Sequence, residues 1–158
     1  MASRQRTASW ALVFGTLAVG TVDAIDAVVL FGARGATPVR IFQSIASGLL
    51  GRAAFRGGLP VAGLGVAIHY FVAFGIVTTY FVVSRRAALL RRHWAVCGML
   101  YGIVAYGVMN LVVIPLSAIG PAPFVLPLVV NGIAIHMFGI GIPSAWFASR
   151  VAVAAPRA

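Results

Sequence analysis

Trp10–Phe31, WALVFGTLAVGTVDAIDAVVLF, is an almost unbroken apolar run that nevertheless holds Asp23 and Asp26, the two acidic residues of the chain. At 1.5 Å per residue a helix of this length reaches about 33 Å, enough to cross about 30 Å of hydrocarbon. Arg4 and Arg6 precede it, as in a signal peptide. No small-x-small cleavage site appears before the run ends, so an uncleaved first span is expected.

Three more runs are long enough to span: Val61–Val83, Trp94–Leu116 and Leu126–Ala148. Trp10, Trp94 and Trp146 lie near span ends, where amphipathic rings prefer the interface. The composition agrees: of 158 residues, 61% are hydrophobic and 9% charged. Soluble domains are about half apolar and about a quarter charged, so lipid must cover what a core cannot. The expected fold is an all-α membrane protein, one domain of four transmembrane helices. With so few spans it is expected to work as a homo-oligomer or in a larger membrane complex.

The net charge of +10 comes from arginine, since lysine and glutamate are absent. The arginines flank apolar runs and form no interleaved basic and aromatic surface, which excludes nucleic acid as partner. Arg4, Arg6, Arg85, Arg86, Arg91, Arg92, Arg150 and Arg157 fall on one side of a four-span topology, so both termini are expected in the cytoplasm. Abundant Ala, Gly and Arg point to a GC-rich bacterial genome and hence to the inner membrane. Cys97 is the single cysteine, which excludes an intramolecular disulfide and a cysteine metal cluster.

Between the first two spans, Thr37 suits an N-cap, Pro38 the first helical position, and Gly57-Gly58 a stop. A short amphipathic helix over 38–56 is expected in the outer interface. Arg40, Ser44, Ser47 and Gly51 would form its polar face, and Phe42, Ile45, Leu49 and Ala53 its apolar one. Arg34 or Arg40 is a candidate charge partner for an aspartate of the first span.

The halves resemble each other. Gly65–Phe71 and Gly132–Phe138 both read G-[VI]-A-I-H-x-F, 67 positions apart. Asp26-Ala27-Val28-Val29-Leu30 matches Asn110-Leu111-Val112-Val113-Ile114 more weakly, 84 apart, with Gly107 where Asp23 would be. Two repeated hairpins would place His69 and His136 at equal depth about a pseudo-two-fold axis along the membrane normal.

Depth counting puts Asp23, His69 and His136 in one layer, about 20 Å from the inner side. Asp26, Asn110 and Asn131 fall further out. A central Asp costs roughly 2.5 to 3.5 kcal/mol on insertion scales, so these residues should face the bundle interior. Asp23 and Asp26 share a helix face, and two ionised carboxylates there repel; one should be neutral or paired. Three uses fit. The cluster handles a proton or small cation, with the histidines titrating near neutral pH. It is packing glue in a structural or accessory subunit. Or His69 and His136 bind a metal, or are the axial ligands of a b-type haem. Gly98 and Gly102, followed by Gly107, mark a smooth face for the bundle interior or a dimer. No Walker loop, G-x-S-x-G, H-E-x-x-H or Cys pair is present, so soluble-type catalysis is not expected.

His69, Phe71, Tyr80, Gly98, Gly102, Met109, Pro115-Leu116, the Pro-rich stretch Pro121–Pro127, Asn131 and His136 resemble the latter half of the YagU-like family. The resemblance covers roughly residues 68–147. It implies a four-span bacterial inner-membrane protein loosely associated with acid tolerance, and it carries over no catalytic residue. Arg34–Gly58 departs from that family's longer outer loop.

Overall fold

The computed structural model describes residues 2–151, with side chains from residue 8 onward. Arg157 lies outside the described residues, as do the side chains of Arg4 and Arg6. Every regular element described is helical, and no strand occurs among the described residues. The long helices are α1 (Ala2–Gly32), α3 (Gly58–Arg86), α5 (Trp94–Leu116) and α6 (Leu126–Ser149). Two short ones, α2 (Pro38–Leu50) and α4 (Ala88–Arg92), lie between them. The four long helices are apolar and long enough to cross a membrane. Large apolar side chains point outward, including Leu111, Leu116 and Phe71 at 79, 81 and 75% exposure. Only hydrocarbon tolerates that surface, so this is a multi-pass membrane protein.

α3 is longer than the apolar run that announces it. Gly58 turns the chain at φ 59° and Pro60 fits the first turn. At the other end Arg85 and Arg86 continue the helix, because cations suit the negative end of the dipole. Arg91 donates from Nη1 to the Ser84 carbonyl, and Arg85 donates to the Val151 carbonyl at 2.9 Å. Tyr80 donates to the Leu90 carbonyl at 3.0 Å. These bonds close the end of the bundle that carries the chain termini.

α2 begins as expected: Oγ1 of Thr37 accepts from the Arg40 amide at 3.3 Å, and Pro38 opens the helix. It stops sooner. Gly51, at φ 59°, ends the α-helix, and Gly51–Arg56 continues as a 3₁₀ turn. The expected faces need correction too. Ile41, Gln43, Ala46 and Ser47 are buried, whereas Leu49 is 67% exposed. The cause is close backbone approach. A Cβ on Gly65 of α3 would sit 1.9 Å from the Phe42 carbonyl oxygen, so α2 presents small residues at the crossing. Gln43 is satisfied by donating to the Gly58 carbonyl at 3.0 Å. The α5–α6 loop is tied to α2 through the Ala118 amide and the Gly48 carbonyl, 2.9 Å apart. α2 therefore closes the end of the bundle opposite the termini.

α5 and α6 each contain one widened π turn, Met109–Val113 and His136–Gly141. Each precedes a proline, Pro115 or Pro143. Proline has no N–H, so the carbonyls of Leu111 and Gly139 lack their ordinary donor four residues on. The chain answers by bonding five residues apart, from Ile114 to Met109 and from Ile142 to Met137. Pro143→Ala restores that donor. We expect it to raise the thermal midpoint in detergent, by up to about 3 kcal/mol of stability, the usual cost of a proline inside a helix. A lowered midpoint would show that the wide turn is held by packing instead.

The core is thin. Val19, Ala73, Val77 and Ile140 form one cluster; Tyr80, Ala145 and Ala148 form another nearer the termini, with Trp94 and Tyr101 against it.

Candidate functional site

Above the first core cluster the helices part around a cavity of about 210 Å³. Its polar lining is Asp23 from α1, His69 from α3, Asn110 from α5 and His136 from α6. The remaining wall is apolar and includes Ile45 of α2.

Local sequence explains each placement. Gly20 stands one turn before Asp23, and a Cβ there would lie 2.6 Å from the Tyr70 ring. The bare backbone lets α3 come close enough for His69 Nε2 to reach the Gly20 carbonyl at 2.7 Å. A carbonyl only accepts, so Nε2 carries the hydrogen. His69 Nδ1 is then the ring nitrogen that faces Asp23, 3.9 Å from its Oδ2. The His69 side chain is only 10% exposed.

His136 sits at the start of the π turn in α6. Its Nδ1 donates to the Gly132 carbonyl at 2.9 Å, leaving Nε2 as an acceptor. Its ring meets Tyr106 edge-on at 5.3 Å. Tyr106 fits because Gly132 has no side chain; a Cβ there would be 2.4 Å from the ring. Asn110, in the π turn of α5, donates from Nδ2 to the Tyr106 carbonyl at 3.0 Å, leaving Oδ1 as an acceptor. A common pattern results. His69, Asn110 and His136 each tie a donor back to a backbone carbonyl and keep an acceptor in reserve. The Asp23 carboxylate adds two more acceptor atoms.

Asp26 lies apart from this chamber. Its Oδ2 accepts from Asn131 Nδ2 at 2.8 Å, a direct bond between α1 and α6. The expected outer layer of Asp26, Asn110 and Asn131 is thus divided: the first and last pair, and Asn110 joins Asp23. The proposed partners Arg34 and Arg40 require correction. Arg34 donates to the Leu30 carbonyl at 2.7 Å, capping its own helix, and Arg40 lies over the Phe55 ring at 4.5 Å. Both have partners close by and neither lines the chamber.

Sequence reasoning passed over the Gly20 carbonyl and the contact of the Thr21 and Tyr70 hydroxyls, 2.9 Å apart; it placed Ile45 only on the apolar face of α2 and took Tyr106 for a packing residue. Pro115 and Pro143 were the available signal, since prolines inside apolar runs mark the turns that carry Asn110 and His136. Among the described residues no group of three or more His, Cys, Asp or Glu side chains is placed to hold a metal ion. For a bis-histidine haem, His69 would have to surrender its Nε2 bond to Gly20 or turn Nδ1 away from Asp23. No protein-family model, no curated protein and no solved structure matches the chain.

Proposed function

We propose that this chain is a bacterial inner-membrane protein that takes up a proton or small cation at Asp23. The observation that carries the reading is the orientation of His69. Its Nε2–H is fixed on the Gly20 carbonyl, so its variable proton sits on the nitrogen facing Asp23. A proton arriving at Nδ1 makes an imidazolium beside a carboxylate, and a cation arriving at Asp23 favours its loss. His136 Nε2 and Asn110 Oδ1 are the further acceptors lining the same cavity.

The remaining features belong to the same reading. The arginines between α3 and α5 support termini in the cytoplasm. α2 then lies at the outer interface and roofs the chamber. The paired G-[VI]-A-I-H-x-F strings support descent from two hairpins, and the residues of 68–147 support kinship with the YagU-like family. With four spans only, the same reading has the chain working as a homo-oligomer or within a larger membrane complex. The Asp26–Asn131 bond favours a second, structural role, for that pair alone.

The test is dissipation of an imposed pH gradient in vesicles holding the purified protein. Wild type is expected to collapse the gradient, Asp26→Asn to do so as well, and Asp23→Asn to fall to the rate of empty vesicles. Undiminished dissipation by Asp23→Asn would overturn the reading.

A further inference from the structure

We propose that the chamber binds a small primary ammonium ion carrying an apolar body of about seven carbons, by scale from an engineered cavity of about 150 Å³ that holds benzene. This names the cation of the reading above and rests on it for Asp23 as the charge-binding group.

Room is the first argument. A proton needs no cavity, yet about 210 Å³ stands open between α1, α3, α5 and α6. Scaled from the benzene case, that space holds about eight non-hydrogen atoms.

The wall is the second. Ile45, Val72, Ile76, Ile114 and Ile140 line it. A hard metal cation wants about six oxygen ligands. Here the side-chain oxygens come from Asp23 and Asn110 alone, and the nearby Gly20 carbonyl is already engaged by His69. A bare inorganic ion would stay badly solvated against isoleucine. An organic cation buries its hydrocarbon there.

The third is the sense of the hydrogen bonds. One N–H each of His69, Asn110 and His136 is tied to the carbonyls of Gly20, Tyr106 and Gly132. What remains is the Asp23 carboxylate, Asn110 Oδ1, the second nitrogen of each imidazole and a single donor, the other amide N–H of Asn110. An ammonium group has three donors, no acceptor and a positive charge. Carboxylates and phosphates would bring acceptors and negative charge to acceptors, and an alcohol offers one donor without the charge that Asp23 would bind. Of the charged and titratable groups near Asp23, α3 supplies His69, α6 supplies His136, α1 supplies Asp26 one turn away, and α5 supplies only the neutral Asn110 and Tyr106. No arginine is among them to repel a cation.

Calorimetric titration of the full chain in detergent with benzylammonium chloride tests this, in two buffers of different ionisation enthalpy. Saturable binding is expected for wild type and for Asp26→Asn, and at least a tenfold loss for Asp23→Asn. Benzyl alcohol has the same size without the charge and should not bind. Methylammonium should bind at least tenfold more weakly, and a naphthyl amine not at all. Absence of saturable benzylammonium binding, or equal binding of benzyl alcohol, overturns the proposal on wild-type protein alone, whether or not Asp23→Asn folds. Binding with no proton released supports the ammonium site and counts against proton uptake. A gradient collapse that needs Asp23, with no amine bound, does the reverse.

Discussion

Gly102→Ala is expected to abolish the folded monomer. A Cβ on Gly102 would sit 2.0 Å from the His136 carbonyl oxygen, and one on Gly141 would sit 2.0 Å from that of Gly98. Both collisions are with backbone, so no side-chain rotation relieves them; α5 and α6 must separate. Overpacking costs typically about 1–3 kcal/mol and occasionally more, and a helix-on-helix clash lies at the upper end or beyond. In so thin a core that is decisive. Size exclusion in detergent should show aggregate, and thermal unfolding should lose its cooperative transition. Gly107→Ala is the control. Nothing lies within 4 Å of its Cβ position, so it should gain up to about 1 kcal/mol of helix propensity. Matching melting curves for the two variants would refute the close approach of α5 and α6.

The second large effect concerns Asp26 and Asn131. Asn131→Leu removes the donor and leaves the carboxylate unpartnered between apolar helices. An unsatisfied buried group costs about 1–3 kcal/mol, and more when charged, so a loss of about 3 kcal/mol is expected. Asp26→Leu leaves only a neutral amide wanting, and about 1 kcal/mol is expected. The double variant Asp26→Leu/Asn131→Leu should return close to wild type, because two partners replaced together by apolar groups leave nothing unsatisfied. A thermal-unfolding cycle reads this directly. Additive losses in the double variant would mean that the 2.8 Å bond contributes nothing to holding α1 against α6.

The spans were legible because length and hydropathy suffice to find them, and α5 has the bounds of its apolar run. What lay hidden is rotation. A helix apolar all round has no stripe to show which face turns inward. Asn110 illustrates this: sequence matching set it opposite Asp26, whereas the π turn brings it to the chamber with Asp23. Arg40 and Leu49 show the other limit. Their residue types suggested a polar and an apolar face for α2, but contact with α3 at Gly65 selected Ala46 and Ser47 for burial. Asp23, His69 and His136 were legible by cost alone, since ionisable groups in a span need company. The Gly98 and Gly102 face proved internal, set against α6 rather than offered to a second chain, and Gly107 is not part of it.

The π turn of α6 also changes how the two histidine-bearing spans are in phase. Their common strings stand 67 positions apart. Nearer the termini, the buried Ala73, Val77 and Tyr80 of α3 answer the buried Gly141, Ala145 and Ala148 of α6 at 68. The wide turn falls between the two zones and takes up the odd residue. It works as a spacer, keeping the histidine above and the small-residue seam below each on its inward face. One residue fewer there would close the wide turn to an ordinary α turn and leave the seam in phase, as it already is in α3, at the cost of fitting Pro143 into a regular turn. One residue more would find no slack, and would swing everything beyond it through about 100°, taking Gly141 off the Gly98 backbone. Length, as much as composition, is therefore under constraint at this point of α6.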